Sequence, residues 1–476
     1  MTYNEENTKL LKTILNSSFF KPWKDKSKYS DYIEKRDIAV ELYVTPVCNQ
    51  KCEYCYLYKY GDSLYPKDIR DKDTILKNLD TLIEYFIREK LNIHRIDVFS
   101  GEILHTDFGI EVLNRLYNGK INGLLVEEIH YPTNCSFLLD DKAAERVQAM
   151  FDKLKEAGLP VYPSASVDGL IVEEEARPFI DSSYTGRRDQ NFYDKVFEFI
   201  IKNNGGFHPM VSAHSIEKWV DNFDWWVQQC DKYNISLPHS VMMLEVRNDE
   251  WTPDKIKTYT EFLKHYGEWL FNVYCAKDRA LFTRLLIGLE CDQKICGYIN
   301  LHLSDDTQIA TCSVSQQLTI RLGDLAICPC HRTSYPEYLY GKFVVEDGRI
   351  VDIEGNNPFV AAKILMMNQR VCHHGCDVCW NKNFCIRQCF GAQLESGQEI
   401  FMPIESVCNL LKEKTATLYK IYCEYGVREQ AEHFVKHEYI LSSQDRNRLL
   451  VFLTLFNQLE ASLLSYTELR KDDSEG

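Results

Sequence analysis

The chain has no apolar run long enough to cross a bilayer. Spanning takes about 18 consecutive apolar residues, and the longest stretch, Leu449–Phe456, is short and interrupted by Thr454. A secretory start is also missing, because Met1-Thr-Tyr-Asn-Glu-Glu-Asn7 is acidic and polar instead of basic then apolar. Positive charge is scarce. With 55 Lys and Arg against 70 Asp and Glu the net charge is −15, whereas a general binder of nucleic acid or anionic membrane wants a basic surface. These absences lead us to expect a cytoplasmic protein with no nucleic-acid and no membrane partner. In a reducing cytosol its 18 cysteines read as metal ligands or core residues, not disulfides.

A length of 476 residues suggests about three domains, fewer if one is an α/β barrel. Hydrophobic residues at 45% and charged residues at 26% describe an ordinary globular protein. Residues 1–37 are polar and aromatic and read as a docking arm or a packed N-terminal extension. From 38 to 275 short β-like runs alternate with helical ones, which predicts a parallel α/β architecture. Strands are expected at 38–45, 94–100, 125–133, 160–168, 208–214 and 239–246. The helix expected at 73–90 places Ile75, Leu79, Leu82, Ile83 and Phe86 on one face. Further helices are expected near 107–118, 140–157, 190–203, 216–233 and 253–270. Residues 444–466 form a strongly amphipathic helix carrying Leu449, Phe452, Leu453, Phe456, Leu459 and Leu463 on one side.

One short loop stands out. Cys48-Asn-Gln-Lys-Cys52-Glu-Tyr54-Cys55 follows the strand-like run Ile38–Val44. Three thiolates on one loop can hold three corners of an iron–sulfur cube, where a full set would be four. The missing ligand leaves one iron open to a small molecule. A zinc loop is the competing reading, but structural zinc wants four closed ligands, usually as Cys-x-x-Cys pairs. The loop resembles the signature of the radical S-adenosylmethionine (SAM) enzymes, including the aromatic residue before the third cysteine. The resemblance implies a [4Fe-4S] cluster on Cys48, Cys52 and Cys55 whose open iron is chelated by SAM. An electron from that cluster would cleave SAM, and the 5′-deoxyadenosyl radical would remove a hydrogen atom from substrate. It also implies a partial (β/α)6 TIM-type barrel over 38–275, where periodicity alone gives only parallel α/β.

Parallel α/β enzymes build their sites at strand C-terminal ends, and the resemblance implies SAM contacts there, with Tyr54 among them. Ser100-Gly101-Glu102 ends the second strand and resembles the family's Gly-Gly-Glu motif, with serine for the first glycine and no following proline. Thr133-Asn134 ends the third strand like the Thr-Asn-Gly of related enzymes, with Cys135 in the glycine's place; Asn134 is equally at home as a turn residue. Ser166-Val-Asp168-Gly169 ends the fourth, followed by Arg177. In related enzymes a serine and an arginine so placed hold the SAM carboxylate, a task that suits the planar fork of arginine. A surface arginine after Glu173-Glu-Glu175, and a plain Asp168-Gly169 turn, are the alternatives.

The densest cysteine cluster lies in 296–408. It runs Cys312, Gly323, Cys328, then Cys376-x-x-Cys379, Cys385, Cys389 and Cys408. A Cys-x-x-Cys alone would also permit zinc ribbons. The whole pattern is similar to the SPASM domain, a loop-rich extension of some radical SAM enzymes with two auxiliary clusters. The resemblance implies one [4Fe-4S] cluster on Cys376, Cys379, Cys385 and Cys408, and another on Cys312, Cys328 and Cys389. Crossed ligation of this kind would tie distant segments together and supply folding energy. The three-membered set has room for Cys291, Cys296 or Cys330, or for an open iron that takes a substrate thiolate. Cys135, Cys230, Cys275 and Cys423 read as buried, inert thiols. Cys372 beside His373-His374 is ambiguous. The expected domains are an extension (1–37), the barrel (38–275), a bridge (276–295), the SPASM domain (296–425) and a helical extension (426–476).

Radical SAM enzymes with SPASM domains act mostly on peptides or proteins. The resemblance therefore implies an oxidoreductase of ribosomal peptide (RiPP) maturation that abstracts hydrogen from a peptide residue and forms a thioether or C–C cross-link. Its partners would be a peptide or small protein substrate and an electron donor such as flavodoxin or ferredoxin. An anaerobic sulfatase-maturating enzyme, which makes formylglycine, ranks second because of the helical tail after Cys408. A non-catalytic iron–sulfur electron-transfer scaffold ranks third, since Glu102, Ser166 and Arg177 serve no purpose in a pure carrier. The catalytic base stays open among His331, Asp292 and several tyrosines.

Overall fold

The computed structural model describes residues 38–235, 237, 246, 248–277, 318–355, 376, 378–382, 389–397, 402–437 and 443–472. They fall into two compact units. One holds the described residues up to Pro209 together with those between Cys312 and Asn368, and the other holds the rest.

The first unit is built on β1 (Ile38–Tyr43), α1 (Tyr56–Leu64), α2 (Lys72–Arg88), β2 (Ile93–Phe99), α3 (Asp107–Ile121), β3 (Val126–Thr133), α4 (Asp141–Glu156), β4 (Val161–Ala165), α5 (Gln190–Lys202) and β5 (Gly206–Phe207). It is completed by β6 (Leu318–Arg321), β7 (Ala326–Cys328), β8 (Gly341–Glu346) and β9 (Arg349–Gly355). All of these strands share one sheet in the order β5-β4-β3-β2-β1-β6-β7-β8-β9. The pairs from β5 to β6 are parallel, and those from β6 to β9 are antiparallel. Among the described residues the order runs open from β5 to β9.

The helices form where acidic N-caps precede apolar stripes. Asp71 accepts from Thr74 N at 2.9 Å, Asp140 from Ala143 N at 3.0 Å and Asp189 from Phe192 N at 3.0 Å. On α2 all five expected face residues, Ile75, Leu79, Leu82, Ile83 and Phe86, are buried. Strand side chains alternate between faces. The β1–β2 register sets Val40 and Leu42 beside Ile96 and Val98 on one face, and Glu41 and Tyr43 beside Asp97 and Phe99 on the other.

One expectation needs correction, one goes untested, and two features lie outside the sequence reading. The fifth strand is only Gly206–Phe207, not 208–214. The sixth, at 239–246, lies outside the described residues except for Val246. Helix α1 was not anticipated, for it contains Gly61 and its N-cap, Cys55, makes no side-chain cap bond; burial of Leu57 and Leu64 holds it instead. Strands β6–β9 also went unforeseen, although β8 and β9 flank Asp347-Gly348 with φ of 49° and 76°, the two-residue hairpin turn that Asp-Gly favours.

The second unit contains α6 (Trp219–Tyr233), α7 (Pro253–Glu268), α8 (Phe390–Glu395), α9 (Glu405–Glu424), α10 (Val427–His437) and α11 (Ser443–Asp472). Gly267 lets α7 approach α9, since a Cβ there would meet Ile421 Cγ2 at 2.7 Å. The stripe expected on α11 is used for docking: Leu449, Phe452, Phe456 and Leu459 are buried, with Phe456 5.1 Å from the Tyr419 ring of α9. Cys135, Cys230 and Cys275 are buried, but Cys423 is exposed in the last turn of α9. Among the described residues no helix is long and apolar enough to cross a membrane.

Candidate functional site

The ends of four parallel strands converge on residues 48–55. Val44 N donates to Phe99 O at 2.8 Å, Gly101 N to Thr45 O at 2.8 Å and Glu102 N to Val47 O at 2.9 Å. The turn after β2 is thereby laid against the stretch leading to Cys48. A Cβ on Gly101 would fall 2.1 Å from Val47 O, so the glycine is required by backbone contact with this stretch. The segment Ala176–Ile180, beyond β4, runs alongside the loop: Glu53 N donates to Ala176 O at 2.9 Å, Lys51 N to Pro178 O at 2.9 Å and Ile180 N to Asn49 O at 3.0 Å. From the end of β3, Asn134 Nδ2 donates to Asn49 Oδ1 at 2.9 Å, and Asn49 Nδ2 to Ser136 Oγ at 2.8 Å.

Cys52 is buried, and Cys48 and Cys55 are half-buried. Burial pushes the Cys48 thiol up to about 12, against a lowering by the Gln50 N–H. Burial also raises Cys52, while the nearby Arg177 pulls it down. Neutral thiols in such a place become ligands when a metal displaces their protons. Among the described residues no three of His, Cys, Asp and Glu converge on a point that would hold a single metal ion. A cube makes no such demand, because each cysteine binds a different iron. The three-cysteine donor set matches a cube with one open iron and falls one short of the four ligands of a closed zinc site.

Around the loop the polar residues are tied to the protein itself. The buried Glu102 carboxylate accepts from Thr133 Oγ1 at 2.7 Å, Asn134 N at 2.6 Å and Leu104 N at 3.0 Å, and burial raises its pKa. It stitches the end of β2 to the end of β3. Tyr54 Oη donates to Asp168 Oδ2 at 2.6 Å and accepts from Arg177 Nη1 at 3.0 Å. Arg177 is buried, which corrects the surface alternative. Ser100 is buried beside Gly101, and the half-buried Ser166 is held through its N–H, which donates to Thr133 O at 2.7 Å. Cys135 takes φ 59°, the left-handed conformation that the glycine of Thr-Asn-Gly would supply without strain. Arg188, whose Nη1 lies 3.1 Å from Glu173 Oε1, escapes a sequence reading, because in Arg187-Arg188-Asp189 it resembles any solvated charge run.

Of the bases considered, Asp292 lies outside the described residues. His331 Nδ1 is 2.8 Å from Glu41 Oε2, and its ring stacks on Phe99 at 3.9 Å. Among the remaining candidate ligands, Cys291, Cys296, Cys312, Cys372 and Cys385 lie outside the described residues. Cys328 ends β7 and is buried, with burial pushing its thiol up to about 12; Cys330 Sγ is 3.2 Å from Thr333 Oγ1. Gly323 is needed for close approach, since a Cβ there would sit 2.1 Å from Ile69 O. In the second unit Cys376 and Cys379 share a turn, with Cys379 N donating to Cys376 O at 3.3 Å. Buried Asn381 Nδ2 donates to Leu411 O at 3.1 Å, fastening that turn to α9, which bears Cys408. Cys389 is the N-cap of α8.

No family model matches the chain, and no curated protein matches it. Among solved structures the chain is similar to anSMEcpe with bound AdoMet, at 15% identity and a TM-score of 0.48, over 87% of this chain and 98% of that one. It is likewise similar to native anSMEcpe with bound AdoMet and Cp18Cys peptide, at 14% identity and a TM-score of 0.47, over 83% of this chain and 99% of that one.

Proposed function

We propose that the chain is a radical SAM oxidoreductase with a SPASM-type extension, acting on a peptide or small protein. The observation that carries this reading is the Cys48–Cys55 loop, which is bound by the turns after β2, β3 and β4 and carries three free cysteines. Cys48, Cys52 and Cys55 would hold a [4Fe-4S] cluster, which when reduced supplies the electron that splits SAM into methionine and a 5′-deoxyadenosyl radical. Ser100, Gly101, Asn134 and Ser166 would line the SAM site, with Tyr54, Glu102 and Arg177 fixing its walls. Two auxiliary clusters would sit on Cys376, Cys379, Cys385 and Cys408, and on Cys312, Cys328 and Cys389. The product we favour is a thioether or C–C cross-link in a ribosomal peptide, formed in the cytoplasm with flavodoxin or ferredoxin as electron donor.

The test is anaerobic incubation of reconstituted, reduced protein with SAM, followed by chromatography for 5′-deoxyadenosine. Wild type should form it and Cys52→Ala should not. Absence from wild type under every reductant leaves only an electron-transfer scaffold. Mass spectrometry of a co-expressed peptide encoded beside this chain then decides the product. Loss of two hydrogens indicates a cross-link, whereas an aldehyde replacing a cysteine thiol or serine hydroxyl indicates sulfatase-type maturation.

A further inference from the structure

We propose that the side-chain amide of Gln50 donates a hydrogen bond to the Cys52 sulfur of the iron-loaded cysteine loop and raises the reduction potential of the cluster held there. This rests on reading Cys48, Cys52 and Cys55 as iron ligands. Gln50 lies between two of them in sequence and is 2% exposed. Its Oε1 accepts from Cys52 Sγ at 3.7 Å, while its Nε2 is buried and has no hydrogen-bond partner. The backbone that presents this side chain is pinned. Gln50 forms an antiparallel bridge with Phe179, flanked by Ile180 N donating to Asn49 O at 3.0 Å and Lys51 N to Pro178 O at 2.9 Å. Its own N–H donates to Cys48 Sγ at 3.4 Å.

A buried amide N–H without a partner is destabilising, and an apolar side chain of similar size would avoid the penalty. The contact with Cys52 accounts for the orphan. A thiol donates, so the amide turns its oxygen to Cys52 and the nitrogen is left idle. As an iron ligand Cys52 has lost that proton, and its sulfur can only accept. Turning the amide over exchanges oxygen for NH₂ at the same place and gives the sulfur a donor. The oxygen then takes the idle position, where a carbonyl tolerates the lack of a partner better than an N–H does. Asn134 Nδ2, 3.9 Å from Cys48 Sγ, is already engaged by Asn49 Oδ1 at 2.9 Å, whereas the Gln50 nitrogen is uncommitted. Hydrogen bonds to a cluster's sulfurs help set its potential. They draw off electron density, and the reduced state, which carries the extra charge, gains most.

The experiment uses the full, anaerobically reconstituted protein without SAM, made with ¹⁵N in its glutamine side-chain amides and with iron counted per chain. Pulsed ENDOR of the reduced cluster whose signal Cys52→Ala abolishes should show a ¹⁵N coupling, and Gln50→Leu should remove it. An EPR-monitored redox titration should place the potential of that cluster lower in Gln50→Leu than in wild type at unchanged iron content. A merely structural role for Gln50 would give no coupling. A loaded wild type with no coupling overturns the proposal, and so does a fully loaded Gln50→Leu with the wild-type potential. A coupling that appears only after SAM is added also overturns it and leaves Gln50 as a contact of SAM. Should Gln50→Leu lose its iron, Gln50→Met takes its place in the titration; if both do, the wild-type coupling decides alone. A wild type that takes up no iron overturns the ligand reading itself, an outcome distinct from a loaded wild type without the coupling.

Discussion

At Gly101 a side chain has nowhere to go. The Val47 carbonyl that would clash with a Cβ at 2.1 Å also accepts the Glu102 N–H, so relief requires moving the cysteine loop. Gly101→Ala is expected to cost about 1–3 kcal/mol, the usual range for overpacking, and to lower iron retention, as read by urea unfolding and iron assay. Cys135 is the opposite case. An L-residue at φ 59° carries about 1–2 kcal/mol of left-handed strain, so Cys135→Gly should lie within about 1 kcal/mol of wild type despite the lost thiol contacts, while Cys135→Val should be clearly destabilised. Glu102 adds a pH test. Its folded pKa is raised by burial, so its contribution is fully present below the unfolded glutamate pKa and is lost as pH rises through the folded one. Glu102→Gln should remove that slope from the stability profile, and it should also cost about 1–3 kcal/mol for donors left unpaired. The glycine and the acid of Ser-Gly-Glu were legible because the motif lies just after a strand. Glu173 and Arg188 were not, because their pairing depends on a fold that buries what reads as a surface charge run.

At the scale of elements, the segment 176–180 matters through its backbone. Lys51 is exposed, and only its N–H is engaged, with Pro178 O. Lys51→Ala should therefore change stability by less than about 0.5 kcal/mol. Lys51→Pro deletes the donor and should cost about 1 kcal/mol or more, with faster loss of iron to a chelator. Equal behaviour of the two variants would show that the clamp does not hold the loop. Helices α2, α4 and α5 of the first unit were legible because acidic caps and apolar stripes coincide on them. The addition of β6 beside β1 was not, because four residues, Leu318-Thr-Ile-Arg321, carry too short an alternation to announce a strand. The β8–β9 hairpin could have been found from Val-Val-Glu-Asp-Gly-Arg-Ile-Val, where Asp-Gly separates two apolar runs.

At the scale of the whole molecule, the cysteines divide by unit. Cys48, Cys52, Cys55 and Cys328 belong to the first, and Cys376, Cys379, Cys389 and Cys408 to the second. Clusters are additive in iron but not in folding, because a metal that ties a loop-rich segment also supplies its folding free energy. The Cys48–Cys55 loop is already fixed by backbone bonds to the turns after β2 and β4, whereas the bond from Asn381 to Leu411 that fastens the Cys376–Cys379 turn to α9 is made by a side chain. Removing ligands at the two places should therefore have unequal consequences. If three four-iron cubes are present, wild type carries about twelve irons per chain. Replacing Cys48, Cys52 and Cys55 together by alanine should lower this to about eight and leave thermal unfolding nearly unchanged. Replacing Cys376 and Cys379 should lower the iron by a similar amount and also expose the second unit to proteolysis. Iron assay with limited proteolysis distinguishes the two, and equal protease sensitivity in both variants would show that metal contributes no more to the fold at one place than at the other.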